Sequence, residues 1–274
     1  MSSQAERAAA FLSLHEGERP LLLPNPWDAG SATLLAAAGF KALATTSSGF
    51  AATLARLDGS VTRDEALAHA RTIARAVEVP ISADLENGFA DEPADVAETV
   101  RMAIEAGLAG CSIEDSSGRE DAPIYELGRA VERIAAAAEA AHSGEAQLVL
   151  TARAENYLHD QPDLEDTIAR LKAYEQAGAD VLYAPGLRAL ADIRALVAAL
   201  ERPVNVLALP GVPTVAELAA AGVRRVSVGG AFAFAALGAA MQAAEELASA
   251  GTYGFWEQAR VGAKAAREAF ARVE

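Results

Sequence analysis

The segment Ile81-Ser-Ala-Asp-Leu-Glu-Asn-Gly-Phe89 carries two acids, Asp84 and Glu86, one apolar residue apart, at the end of a run that reads as a β-strand. Side chains alternate along a strand, so this spacing sets both carboxylates on one side before Asn87-Gly88 turns the chain. Like charges this close repel unless a cation stands between them. Two more β-like runs end in charge: "GCSIED" in Glu114 and Asp115, and "LVLTAR" in Arg153, with Glu155 and Asn156 just after it. Asp84, Glu86 and Glu114 form an oxygen-rich set suited to a hard cation, Mg²⁺ or Mn²⁺. Arg153 offers a planar fork for a carboxylate or phosphonate. Each residue alone reads equally well as a helix cap, a solvated loop acid or a salt-bridge partner. Three acids and an arginine together form a cluster that is costly without a purpose.

These residues need a scaffold, and the chain announces one. Four helical patterns close on Ala-Gly and re-open as short β-like runs: "AAAGFKALATT", "EAGLAGCSIED", "QAGADVLYAPG" and "AAGVRRVSVGG". Glycine past the last turn supplies a left-handed cap. Proline announces two more strands, in "VEVPISADLE" and "LERPVNVLAL", because the residue before it is pushed out of helical geometry. With "PLLLPN" and "AQLVLTAR", eight strands are expected: Leu21–Pro24, Lys41–Thr45, Ile81–Leu85, Gly110–Glu114, Leu148–Arg153, Asp180–Ala184, Val204–Leu207 and Arg225–Val228. Helical patterns stand between them, among them Ala29–Ala38, Thr62–Val77, Pro93–Ala106, Leu127–Ala141 and Leu164–Ala177. Thr62-Arg-Asp-Glu65 reads as a capping box, and Pro93 suits a first helical turn. Apolar strands alternating with helices over this length predict a (β/α)₈ barrel of the TIM type. The competing open doubly wound sheet lacks support, since no G-x-G-x-x-G or phosphate loop follows any strand. One domain is expected over 1–274. The extension 251–274, with Phe255 and Trp256 ahead of an amphipathic Glu257–Glu274, exceeds the barrel's needs and is a candidate oligomer contact.

The chain has 274 residues, 52% hydrophobic, and a formal charge of −15, which argues against nucleic acid and anionic membranes as partners and for a small molecule. Cys111 is the only cysteine, so no intrachain disulfide forms, and Met1-Ser-Ser-Gln4 opens no signal peptide; a cytoplasmic location is expected. The apolar run Ala231–Ala250 is alanine-rich and broken by Gln242, Glu245 and Glu246, so it is not a membrane span.

Barrel chemistry sits where strands end. Read in order, those ends give Asn25 and Asp28, then Thr45-Thr-Ser-Ser-Gly49, then Asp84 and Glu86, Glu114 and Asp115, Arg153 with Glu155 and Asn156, Tyr183, and Asn205. At these residues the chain resembles the isocitrate lyase and phosphoenolpyruvate mutase superfamily, from Asn25 to about Gln242. "AGFKALATTSSGFAATLARLDG" is similar to its second-strand loop ending in Asp. "SADLENGF" is similar to its D-x-D-x-G-[FY] metal motif, "SIEDSSG" to its I-E-D, and "LTARAENY" to its A-R-[TA]-[DE]. The resemblance implies a Mg²⁺-dependent lyase or mutase acting on a small 2-oxo acid, or its precursor, through a metal-held enolate. It implies a homo-oligomer, a tetramer. By position, Asp84 would contact the metal directly or through water, with Glu86 and Glu114 in support. Asp58 and Arg153 would contact substrate, with Glu114 beside them in the catalytic set. Thr46, Ser47 and Ser48 would face the substrate's carboxylate, and Asn205 would complete the binding wall.

The chain also departs from that pattern. The superfamily's lyases carry K-[KR]-C-G-H after the fourth strand, whereas Ser116–Tyr125 here has no cysteine, lysine or histidine, so isocitrate cleavage is not expected. Cys111 reads as a small core residue. His159, in the loop after strand five, is a candidate acid or base. A lysine Schiff base is excluded, because Lys41, Lys172 and Lys264 avoid every strand end. Two readings stay open: an enzyme for C–C cleavage, decarboxylation or phosphonate chemistry, and a catalytically impaired, sensor-like protein that binds metal and 2-oxo acid.

Overall fold

Apolar runs bounded by glycine or proline become eight strands: β1 (Leu21–Leu23), β2 (Leu43–Ala44), β3 (Ile81–Asp84), β4 (Gly110–Glu114), β5 (Val149–Arg153), β6 (Val181–Tyr183), β7 (Val204–Leu207) and β8 (Arg225–Ser227). The structure, a computed structural model, describes residues 3–145 and 147–271. The strands pair in parallel in the order β1-β8-β7-β6-β5-β4-β3-β2. The two end strands meet where the Ala44 amide donates to the Pro24 carbonyl at 3.1 Å and Asn25 Nδ2 donates to the Thr45 carbonyl at 2.8 Å. This is the (β/α)₈ barrel that the alternation predicts. The longest register, β4 against β5, runs from Gly110 opposite Val149 to Glu114 opposite Arg153, which sets the acid and the arginine side by side at the rim.

The helices form where the caps announce them. Gly39, Gly107, Gly178 and Gly222 take φ of 97°, 85°, 105° and 87°, the left-handed geometry the four Ala-Gly closures call for. They follow α2 (Ala29–Ala37), α5 (Pro93–Glu105), α7 (Leu164–Gln176) and α9 (Val215–Ala220). Thr62 and Glu65 make the expected reciprocal cap at the head of α4 (Arg63–Ala76), and Pro93 starts α5. α6 (Leu127–His142) and α8 (Leu190–Ala199) complete the outer ring.

Two helices were not expected. α1 (Gln4–Ser13) lies under the N-terminal ends of the strands, where Gln4 Nε2 donates to the Leu108 and Gln147 carbonyls at 2.8 Å. Its Phe11 is fully buried among Leu21, Ala42, Ala109, Val149 and Val181 and so closes the barrel's floor. Burying that ring stabilises the floor by roughly 2–3 kcal/mol. Gly110 makes room for it, since a Cβ there would come within 2.7 Å of the ring. The second, α3 (Ser47–Thr53), replaces the expected hydroxyl-rich turn: Thr46 is its N-cap and accepts from the Gly49 amide.

After β8 the chain forms α10 (Ala231–Ser249), of which Ala233 alone is buried, and α11 (Trp256–Phe270), which packs on α2. The last expected helical residues, beyond Ala271, lie outside the described part. Among the described residues no helix is long and apolar enough to cross a membrane.

Candidate active site

Arg153, the last residue of β5, is the hub of the rim. Its Nη1 lies 3.0 Å from Asp84 Oδ1, its Nη2 3.1 Å from Glu114 Oε2 and its Nε 2.8 Å from Glu155 Oε1. The guanidinium also stands over the Tyr183 ring, 5.2 Å from its centre. Burial works against its charge, but Glu155, Glu114 and Asp84 outweigh burial and hold the arginine well above its ordinary pKa. The sequence pattern left Arg153 free to grip a substrate carboxylate. In the structure Nη1, Nη2 and Nε each face an acid, and the guanidinium lines the cavity.

The acids remain in surplus. Burial lifts Glu114 and Glu155 above the usual carboxylate range against the pull of Arg153. Glu86 is pushed up to about 7, first by burial and then by the charges of Asp84 and Asp58. Its position also differs from the expected strand alternation: β3 ends at Asp84, and Glu86 takes a φ of 48°, a left-handed conformation costly for a residue with a Cβ. Asp58 stands at the exposed rim with its carboxyl raised by withdrawal from water and by Asp84, against a hydrogen bond from Ser47. Asp84 itself is well fixed. Its Oδ2 accepts from the Ser47 amide at 3.2 Å, and its own amide donates to Thr45 Oγ1 at 2.9 Å.

A cavity of about 180 Å³ opens at the C-terminal face and runs into the barrel. Of the expected site residues, Thr46, Ser47, Ser48, Asp58, Asp84, Arg153 and Asn205 line it. Glu114 sits behind Arg153, and Glu86 borders a small recess shared with Asp84, His69 and Phe50. The wall also holds Asn25, Ser112, Tyr183, Arg225, Ser227 and the Gly229-Gly230 turn. Of these, Arg225, Ser112 and Ser227 are not expected from the sequence, where strand ends alone marked the site. The alternation Arg225-Val-Ser227 was the available signal, since it points Arg225 and Ser227 to one side. Gly230 lets the turn approach closely, because a Cβ there would meet Ser48 Oγ at 2.5 Å.

Buried charges behind the wall hold these loops. Asp115 accepts from the Glu155 amide at 2.8 Å, from Tyr174 Oη at 2.6 Å and from Arg170 at 3.2 Å, which ties the ends of β4 and β5 to α7. Arg133 donates to the Asn87, Ala90 and Asp91 carbonyls from beneath the Tyr125 ring and so fixes the turn that follows Glu86.

Residues 11–248 match the model of the phosphoenolpyruvate phosphomutase family. The chain belongs to that family. A Burkholderia cenocepacia J2315 structure described no more narrowly than as a lyase or mutase is 52% identical with a TM-score of 0.94, over 98% of this chain and 97% of the other. The 2-methylisocitrate lyase of Escherichia coli K12 is 31% identical over 71% of this chain and 67% of its own. An oxaloacetate acetylhydrolase solved with its product oxalate is 27% identical with a TM-score of 0.83, over 92% of this chain and 90% of the other. The protein is thus an enzyme of the lyase and mutase type within the isocitrate lyase and phosphoenolpyruvate mutase superfamily.

The loop where the superfamily's lyases carry their cysteine folds back on itself here. Ser116 bridges Ile124, the Ser117 amide donates to the Pro123 carbonyl at 2.8 Å, and the Tyr125 amide donates to the Asp115 carbonyl at 2.9 Å. His159, from the loop after β5, reaches it with Nε2 3.1 Å from Ser116 Oγ. Cys111 is fully buried and burial pushes its thiol far up, so it serves the core as expected.

Proposed function

We propose that the chain is a Mg²⁺-dependent enzyme that cleaves or rearranges a small 2-oxo acid, or a hydroxy acid that yields one, through an enolate. The observation that carries this reading is the charge surplus at the rim. Asp84, Glu114 and Glu155 converge on one guanidinium, and Glu86 and Asp58 add acids that pair with no cation among the described residues. The all-oxygen donor set fits a hard divalent cation that keeps part of its water shell. Among the described residues no three such side chains form a ready-made cage, so the fit rests on Asp84, which would contact the cation directly or through water, with Glu86 and Glu114 in support. Mn²⁺ would serve in the same place. Bound there, the cation supplies the positive charge that an enolate oxygen requires.

The chain's own groups do the rest. Thr46, Ser47 and Ser48 present hydroxyls on the cavity wall to a substrate carboxylate, and Asn205 lines the wall with its amide engaged by Ser227 and Arg225. Arg153 fixes the orientation of Asp84 and Glu114, and Asp58 stands at the cavity mouth with its carboxyl raised from its ordinary value by burial. Among the described residues no lysine lines the cavity, in keeping with an enolate that needs no Schiff base. The likeness to the oxaloacetate acetylhydrolase makes oxaloacetate the first acid to try.

Calorimetry with pyruvate, oxaloacetate and 2-oxoglutarate, in Mg²⁺ and in excess chelator, tests the reading. Binding is expected only with the metal, and Asp84→Ala should abolish it while leaving the fold intact. Equal binding in chelator would defeat the proposal. Binding without turnover of any candidate substrate would favour the sensor-like alternative.

We also infer that the enzyme is a homo-oligomer, a tetramer, assembled through α10 and α11. Phe234, Met241 and Trp256 are 51%, 69% and 56% exposed on helices the barrel does not need. A second copy of the chain is the expected cover. Light scattering that gives a monomer mass at micromolar concentration would overturn this.

A further inference from the structure

Arg225 is a buried charge without a counter-ion. It is 3% exposed and lines the cavity, yet among the described residues no carboxylate pairs with it. Its Nε donates to Asn205 Oδ1 at 3.0 Å and its Nη2 to Thr151 Oγ1 at 3.0 Å, while Nη1 stands 3.5 Å from His15 Nε2. A guanidinium has five N–H groups, so about two are left for something else. Burial brings its pKa down to about 10, which leaves it charged at neutral pH.

Its depth follows from the register. Thr151 precedes Arg153 by two residues on β5, so Arg225 lies one inward-facing step below the rim, about 6.5 Å by strand rise. Beneath it, Phe11 and His15 of the α1 segment close the barrel. The cavity is therefore acid-rich at its mouth and carries an unpaired cation on its floor. Asn205 holds that cation in position. Its Nδ2 donates to Ser227 Oγ at 2.9 Å, which turns its Oδ1 toward Arg225 and pins the guanidinium in place. A desolvated, unpaired charge is disfavoured in the empty site and favoured when an anion arrives.

We propose that Arg225, held by Asn205 and Thr151, binds a second anionic group at the far end of the substrate. The substrate is then a short-chain dianion whose first carboxylate stays at the rim while its second, a carboxylate or a phosphonate, reaches the floor. This deepens the 2-oxo-acid reading of the same cavity and rests on it for the first group only.

The test is calorimetry in Mg²⁺ with pyruvate, oxaloacetate and 3-phosphonopyruvate on the parent, Arg225→Met and Asn205→Asp. The second variant offers Arg225 an internal carboxylate and fills the subsite without removing the charge. Both variants should weaken the dianions by about tenfold or more while pyruvate changes by less than about threefold. The larger loss among the two dianions tells carboxylate from phosphonate. Equal weakening of pyruvate and dianions, or no weakening, would overturn the proposal, since a mere strut does not read the ligand's far end. If Arg225→Met does not fold, Asn205→Asp and Arg225→Lys decide it on the same comparison. If pyruvate fails to bind the parent, the 2-oxo-acid reading falls by itself. Malonate in chelator then decides the subsite: tighter binding to the parent than to Asn205→Asp upholds it, and equal binding overturns it.

Discussion

The barrel holds two arginines one layer apart, the upper partly buried and the lower fully so, and their surroundings are opposite. Arg153 at the rim meets three carboxylates, whereas Arg225 below it meets an amide, a hydroxyl and an imidazole. The upper arginine has its charge matched by its neighbours. The lower one is available. What an arginine can do for a ligand depends on the charge left over around it, and residue type alone does not report that balance.

The contrast can be broken at its strongest point first. Arg153→Met should cost about 3–5 kcal/mol at pH 8, because three carboxylates lose their shared cation. The cost should shrink at pH 5, where those acids can take up protons. Urea unfolding at both pH values checks this, and a loss below about 1 kcal/mol at pH 8 would show that the clamp is not what holds the rim.

The lower layer is probed through His15, whose pKa is lowered from 6.5 to about 4 by burial first and by Arg225 second. The Phe11 and Leu12 carbonyls and the distant Asp180 oppose the shift. The fold favours the neutral ring, so this contribution is fully present above pH 6.5 and is lost as pH falls through 4. Its size is about 3 kcal/mol. Denaturation curves between pH 7 and 4 should show that slope, and His15→Gln should flatten it.

Glu86 titrates in the opposite sense. Its pKa is raised from 4.5 to about 7, so the fold favours the protonated acid, and stability drains away as pH climbs from 4.5 through 7. Glu86→Gln should therefore stabilise the metal-free protein by about 2 kcal/mol at pH 8 and have little effect at pH 4. Melting curves over that range that coincide with the parent's would remove Glu86 from the charge surplus. The smallest effect is expected for Arg225→Met without ligand, within about 1 kcal/mol of the parent, since the hydrogen bonds lost are offset by removal of an unpaired buried charge. Urea unfolding that shows a loss as large as that of Arg153→Met would erase the distinction between the two layers.

The scaffold was legible because its punctuation is local. Ala-Gly closures and Val-Pro or Arg-Pro entries mark helix ends and strand starts through backbone sterics that neighbours barely alter. Six of the eight expected strands were drawn one or more residues too long at one end or both, and Gly110–Glu114 and Val204–Leu207 kept their bounds. α1 carried a signal too, the Ser3 and Glu6 reciprocal cap, but no strand precedes it in the alternation and it went unread. At the site, residue types at strand ends were legible, while their pairings were not. That Arg153 binds Asp84, 69 positions away, is a fact of register and depth. Arg225 was missed for the same reason: it begins its strand, and only the barrel's curvature brings it to the cavity.

The junction of β1 and β2 has a further consequence. The other neighbouring strands share ladders of two to five registered pairs, but this seam rests on the Ala44 amide and the Asn25 side chain, which also accepts from the Val228 and Gly229 amides at 3.0 Å. Native-state deuterium uptake should accordingly begin at Ala44 and Thr45 and reach β4 and β5 last. Asn25, Thr45 and Thr46 border the seam and the cavity alike. An occupant of the cavity therefore acts as a stitch across the line where the ring parts, and its arrival should slow uptake at Ala44 more than at any residue of β4.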